Sequence, residues 1–298
     1  MFLFIINPIS GNGKAVPLWN DIEKEIPSTI KYQAILSNSE IEARDFIVKQ
    51  LKTTEIKTIV IIGGDGTVNS VIQESAGTHV PIAIFPTGSG NDTARMFSLT
   101  RNPELFVKKL IENRTTCVDL LKVNGRYGIT VVGVGIDATI GERANNASYK
   151  PILNKLKLGS SVYTIAAIFA LMSFQTFTSK VIIDEQEFPL RNSWLTAIGN
   201  TTSYGGGLVV CPTASPTDGL LNITMVSDVN RLTVLCRSFP ALLKGRTIHG
   251  KGVTYKTGKE IQIQTDRPIQ VVLDGEIILT TPLHICVQEM ALKLVLTT

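Results

Sequence analysis

The chain lacks a long apolar run. Its longest candidate, residues 162–177, is broken by Thr164, Ser173 and Gln175. It falls short of the roughly 20 uninterrupted apolar residues that a membrane-crossing helix needs. Only four cysteines are present, at 117, 211, 236 and 286, and no two form a C-x-x-C pair. That spacing supports neither a zinc site nor a disulfide framework, and buried free thiols in a reducing compartment are the better reading. No basic segment precedes the apolar residues 2–6 and no cleavage site follows them. A signal peptide is therefore not expected, and a cytoplasmic location is. Neither an internal repeat nor a low-complexity linker interrupts the 298 residues, a length that suits about two domains. A net charge of +4 falls short of a nucleic-acid signature, so no nucleic-acid partner is expected. Acidic residues are missing altogether between Glu142 and Asp184, a stretch that holds Arg143, Lys150, Lys155, Lys157 and Lys180.

What is present falls into two patterns. In the first third, short apolar runs at residues 2–6, 32–36, 58–62 and 82–85 alternate with helical patterns at 15–26, 40–51 and 68–76. The run at 58–62 is a row of β-branched residues, as in a strand buried on both faces. Strands alternating with helices predict βαβ units, a parallel sheet, and ligands at the carboxyl ends of the strands. Beyond about residue 120 the reading changes to short strands at 121–123, 128–132, 180–183, 194–198, 221–226, 260–264, 269–273 and 284–287, with helices only near 160–174 and 231–244. This half predicts an antiparallel sandwich or barrel with helical insertions. The expected division is an α/β domain over 1–123 and a β-sandwich domain over 124–298.

Three glycine-rich turns each follow a strand of the first domain. The first, Asn7-Pro8-Ile9-Ser10-Gly11-Asn12-Gly13-Lys14, is followed by Ala15 where a P-loop needs Ser or Thr. Its glycines still let main-chain N–H groups approach a phosphate. The second, Gly63-Gly64-Asp65-Gly66-Thr67, joins the buried strand to a helix. It reads as a phosphate loop in which Thr67 caps the helix or donates to phosphate, and Asp65 faces the same ions directly or through Mg²⁺. The third, Pro86-Thr87-Gly88-Ser89-Gly90-Asn91-Asp92, offers a hydroxyl, an amide and a carboxylate in the same crevice. Gly133-Val134-Gly135-Ile136-Asp137-Ala138 mimics a dinucleotide fingerprint, but no acidic residue lies about 20 positions on, and that reading is rejected. Asp218-Gly219 and Asp274-Gly275 are ordinary hairpin signals and need no ligand to explain them.

Taken in order, these segments resemble the diacylglycerol kinase catalytic family, which includes bacterial soluble lipid kinases and sphingosine kinases. The likeness is carried by Asn7-Pro8-x-Ser10-Gly11, the turn at 63–69, the turn at 86–92, Gly135-Ile136-Asp137-Ala138, Gly199-Asn200 with Tyr204-Gly205-Gly206-Gly207, Asp218-Gly219-Leu220-Leu221 and Asp274-Gly275-Glu276. It implies an α/β nucleotide domain like that of NAD kinases and phosphofructokinases, followed by a β-sandwich, with ATP in the cleft between them. It carries nucleotide contacts onto Asn7, Pro8, Ile9, Ser10, Gly11, Ser37, Gly63, Gly64, Asp65, Gly66, Thr67, Val68 and Ser89. A structural Mg²⁺ would lie at Ser215, Asp218 and Leu220, a carboxylate and carbonyl set that suits a hard cation. One carboxylate of the Asp274-Gly275-Glu276 turn becomes the general base, Glu276 first and Asp274 second, with Asp65 also catalytic.

The reaction so implied is transfer of the γ-phosphoryl group of ATP to a lipid hydroxyl, diacylglycerol or a related lipid alcohol. A lipid substrate calls for transient peripheral contact with a membrane. The lysines at 150, 155 and 157 and the apolar helix after residue 160 could supply it, although such a helix is more often core. A kinase of a soluble nucleotide or sugar, and an ATP- or lipid-binding sensor without turnover, are the rivals. The identity of the lipid and self-association into a homodimer stay open.

Overall fold

The computed structural model describes residues 1–145 and 160–298, which form two compact units. One comprises Met1–Ile129, Pro216–Gly219 and Gln288–Thr298; the other comprises Thr130–Ser215 and Leu220–Val287. Lys150, Lys155 and Lys157 lie outside the described residues.

In the first unit the strands run in the order Tyr32–Leu36, Phe2–Ile6, Thr58–Gly63, Ile82–Pro86, all parallel. Leu294, in the returning C-terminal segment, pairs parallel with Ile82. The buried run 58–62 splits by parity, as a strand with period two must. Ile59 and Ile61 join Leu3, Ile5, Ile82 and Ile84 on one face, against Ala43 and Ile47 of the helix Glu40–Thr53 and Val71 and Ile72 of the helix Asp65–Ser75. Val60 and Ile62 join Phe4, Ile6 and Phe85 on the other, against Trp19 and Ile22 of the helix Ala15–Glu25 and Phe106 and Leu110 of the helix Pro103–Glu112. The result is the three-layer α/β arrangement that the alternation predicts.

The helix Pro103–Glu112 is absent from the periodicity reading, yet its boundary signals are local. The Asn102 side chain accepts from the Leu105 N–H at 2.8 Å, Pro103 opens the first turn, and Asn113 closes it in the left-handed region at φ 52°. The second glycine turn is also tighter than expected. Its helix begins at Asp65, not near 68, with Gly64 as N-cap and no side-chain cap. Thr67 is therefore not the cap; its hydroxyl accepts from the Asn7 amide at 3.0 Å.

The second unit is antiparallel, the β-sandwich that the strand spacing predicts. Gln186–Gly199 is its organising strand, pairing with Phe177–Ile183, Val131–Gly135 and Leu221–Ser227. Only residues 194–198 were legible as strand, because the preceding half is mostly exposed and polar. The helix Ser160–Ser173 is present. The stretch 231–244 is helical in three pieces: Arg231–Thr233, a π turn Val234–Ser238, and Phe239–Leu243. Pro240 lacks an N–H and crowds the carbonyl four residues back, and the helix absorbs this by letting the Phe239 N–H reach the Val234 carbonyl.

The four thiols are free, but they are not uniformly buried. Cys211 is buried, and burial pushes its thiol up to about 12; Cys286 is intermediate, while Cys117 and Cys236 are exposed. No helix among the described residues is long and apolar enough to cross a membrane.

Candidate functional site

Parallel pairing decides where the glycine turns go. Phe2–Ile6, Thr58–Gly63 and Ile82–Pro86 are adjacent parallel strands, so the turns that follow them leave the same edge of the sheet side by side. The Asn7 N–H donates to the Ile62 carbonyl at 3.0 Å, and the Thr87 N–H donates to the Gly63 carbonyl at 2.9 Å. The Thr87 hydroxyl donates to Ser10 Oγ at 2.8 Å. Three segments far apart in sequence thus become one surface.

Glycine is required at their crossing. A Cβ on Gly88 would sit 2.6 Å from the Gly64 Cα, and one on Gly11 would sit 2.3 Å from the Thr87 carbonyl oxygen. Gly11 also occupies the left-handed region at φ 63°. The main chains therefore approach as only glycine permits, leaving N–H groups rather than side chains at the surface. The first-turn N–H groups of the helix Asp65–Ser75 have no intrahelical partners by geometry, which makes that terminus an anion acceptor.

Asp65 does something its motif does not reveal. Its Oδ2 accepts from the Asp92 N–H at 3.1 Å, and its Oδ1 accepts from the Thr93 N–H at 3.3 Å. The carboxylate thus ties the second turn to the third, at the start of the helix Asp92–Met96. Ser89 is exposed on the third turn. Ser37 is buried after its strand; its N–H donates to the Ile6 carbonyl at 2.8 Å and its hydroxyl to the Ser39 carbonyl at 2.7 Å. Val68 is buried in the core with its N–H on the Gly64 carbonyl, so it supports the turn from below. Pro8 is half-buried and Ile9 exposed.

One residue of this unit escaped the sequence reading. Asp119, only 2% exposed, accepts from the Gly219 N–H at 2.8 Å and from the Met290 N–H at 2.7 Å, while its own N–H donates to the Pro216 carbonyl at 2.8 Å. It fastens the segment Pro216–Gly219, which carries Asp218. The available signal was a lone aspartate inside the apolar strand Thr115–Val123. Ser215 and Leu220 flank that segment in the chain and belong to the second unit.

In the second unit, Asp274 and Gly275 turn the hairpin between Gln270–Leu273 and Glu276–Thr280, both at positive φ, 51° and 88°. Asp274 is buried; its Oδ1 accepts from the Thr130 N–H at 2.8 Å and from the Thr130 hydroxyl at 2.7 Å. Glu276 is exposed. The two carboxylates thus differ: one is pinned, and the other reaches solvent. The rejected fingerprint at 133–138 proves to be a strand-to-helix turn built around Asp137. A Cβ on Gly133 would lie 1.4 Å from Asp137 Oδ2, so glycine there makes room for this carboxyl. Oδ2 accepts from the Tyr204 hydroxyl at 3.0 Å, and burial pushes the carboxyl up to about 6.

Among the described residues no group of three His, Cys, Asp or Glu side chains converges as a metal cluster. A cation held among these residues would use fewer than three such side chains, together with main-chain carbonyls or bound phosphates. That all-oxygen set fits Mg²⁺, which keeps several waters and uses few protein carboxylates.

Both halves of the chain match known families. The family model of the diacylglycerol kinase catalytic domain matches residues 1–123, and that of the YegS C-terminal NAD kinase beta sandwich-like domain matches 130–296. A diacylglycerol kinase of Mycobacterium tuberculosis is 31% identical over 97% of this chain and 93% of its own. Among solved structures, a diacylglycerol kinase from Bacillus anthracis superposes with a TM-score of 0.73 at 20% identity, over 99% of this chain and 96% of that one. Yeast NADH kinase, solved with NADH, superposes at 0.52 with 10% identity over 99% and 82%, a likeness of fold alone. With both halves matched in order and one relative similar along nearly its whole length, the chain belongs to the diacylglycerol kinase family of lipid kinases.

Proposed function

We propose that the protein is an ATP-dependent lipid kinase that moves the γ-phosphoryl group of ATP onto the hydroxyl of diacylglycerol or a related lipid alcohol. The observation that carries this reading is the junction of the three glycine turns. A cradle of main-chain N–H groups at a helix N-terminus, held together by Asp65, is what a triphosphate requires.

In this reading the turns 7–11 and 63–67 hold the phosphates, with Ser37 and Ser89 at their margins, and Lys14 adds a positive charge. Asp65 keeps the second and third turns in register, so the donors are in place before the substrate arrives. The lipid hydroxyl oxygen bonds to the γ-phosphorus as the bond to the leaving ADP oxygen breaks, and the hydroxyl proton passes to a carboxylate. Glu276 is favoured as that acceptor because it is exposed, whereas Asp274 is buried. Bound Mg²⁺ would offset the phosphate charge, held through Asp65, with a further structural ion at Asp218 and the carbonyls of Ser215 and Leu220.

The test is a lipid extract incubated with radiolabelled ATP and the labelled product identified by mass. Asp65→Ala is expected to abolish labelling while circular dichroism stays that of the parent. Near-normal turnover would remove Asp65 from the mechanism. Labelling of NAD or a sugar phosphate, with none of any lipid, would replace the lipid acceptor by a soluble one.

A further inference from the structure

The second unit holds a basic stretch that the proposed chemistry does not use. From residue 229 to residue 259 there is no aspartate or glutamate, while Arg231, Arg237, Lys244, Arg246 and Lys251 all occur. Arg237, Lys244, Arg246 and Lys251 are exposed, and among the described residues no ion pair engages them. A run of cations left unpaired on one segment is costly in self-repulsion unless something anionic meets it.

The same segment exposes large apolar side chains. Leu232 is 72% exposed at one end of the helical stretch, and Leu243 is 48% exposed at the other. Arg231 joins this stretch to the helix Ser160–Ser173: its guanidinium donates to the carbonyls of Leu171, Met172 and Phe174 and lies over the Trp194 ring at 5.4 Å. That clamp brings the C-terminal turn of the apolar helix beside Leu232, and there Phe169 and Met172 are 53% and 61% exposed. Apolar side chains are therefore interleaved with long cations whose stems can lie along apolar surface while their heads reach phosphate. The π turn at Val234–Ser238 keeps the two ends of the stretch in one continuous helix despite Pro240.

We infer that this segment, Arg231 to Lys251 with Phe169 and Met172, forms a docking surface for an anionic lipid leaflet. The composition selects that partner. A nucleic-acid backbone would satisfy the cations and leave Leu232, Leu243, Phe169 and Met172 in water, whereas a leaflet takes both kinds of group at once. No helix among the described residues can span a bilayer, and exposed cations beside exposed apolar side chains suit an interfacial contact. The inference rests on the lipid-kinase reading only for the need to meet a membrane; the charge and exposure stand without it.

Vesicle sedimentation of the whole chain decides it, with pure phosphatidylcholine compared against phosphatidylcholine mixed with phosphatidylserine. Each cation near an anionic surface contributes about fivefold in affinity, so the triple variant Arg237→Gln, Lys244→Gln, Arg246→Gln should bind the mixed vesicles about a hundredfold more weakly. Leu232→Ala should lower binding by about tenfold at low and high salt alike. Transfer to a short-chain diacylglycerol dispersed in detergent should be unchanged in both variants, which also shows that they fold. Parent-like vesicle binding by the triple variant overturns the inference. So does a parent protein that is retained by heparin yet ignores mixed vesicles. If the parent phosphorylates dispersed lipid but does not sediment with vesicles, docking fails and the kinase reading survives. Charge-dependent sedimentation without phosphorylation of any lipid supports docking and removes the kinase reading.

Discussion

Substituting Gly88 by alanine tests the glycine junction most directly. The added Cβ would stand 2.6 Å from the Gly64 Cα and 3.0 Å from Asn91 Oδ1. The nearest of these atoms is backbone, so no side-chain rotation relieves the contact. Carbon atoms rest about 3.5–4.0 Å apart, and the second and third turns must separate by about 1 Å. Overpacking of this kind costs about 1–3 kcal/mol of stability. The functional cost is expected to be larger, because a displacement of about 1 Å in a positioned site lowers turnover on the order of a hundredfold. Gly141→Ala serves as control: in the helix Ile136–Asn145 its Cβ would meet, among the described residues, Ile277 alone, with Cδ1 at 3.6 Å and Cγ1 at 3.9 Å, an ordinary van der Waals contact. A mid-helix alanine there should stabilise by about 0.5–1 kcal/mol. Calorimetric titration with ATP, paired with chemical denaturation, reads both quantities. If Gly88→Ala binds ATP as the parent does, close approach of the two turns is not what builds the site.

Two further outcomes follow from the carboxylates of Asp137 and Asp119. Asp137 has its carboxyl raised from 3.8 to about 6, so the folded state is penalised above that pH and the penalty disappears as pH falls below the unfolded value. The full shift corresponds to about 3 kcal/mol, and partial exposure of the side chain reduces it to about 1–3 kcal/mol. Asp137→Asn, which can keep the Ala138 and Tyr204 partners, should stabilise by that amount above about pH 7 and progressively less toward about pH 4. A gain in denaturation free energy that is flat across that range would refute the assignment. Asp119→Ala should destabilise by about 2–5 kcal/mol, since it leaves the Gly219 and Met290 N–H groups without their acceptor. It should also speed proteolysis within Pro216–Gly219, and unchanged protection there would show that the segment is held by other contacts.

Much of the first unit was legible because its signals are local. The alternation of β-branched runs with helical patterns implied a parallel sheet, and a parallel sheet collects the turns after its strands on one edge. The elements that escaped were those whose signal is short or polar. The helix Pro103–Glu112 is announced mainly by Asn102 and Pro103, and the front half of Gln186–Gly199 is exposed and so carries no apolar alternation. Of the two roles read for Thr67, capping the helix or donating to phosphate, the first does not hold, because Gly64 starts the helix without a side-chain cap.

The identity of the glycine turns and their order belong to the sequence, because residue type and spacing alone specify where a main chain can come close to a phosphate. Which turn touches which belongs to the tertiary structure. Asp65 reaching the N–H groups of Asp92 and Thr93, and Asp119 fastening Gly219 and Met290, are contacts across long separations in the chain. No local pattern encodes such pairs, since they exist only once the sheet has set the register of its strands.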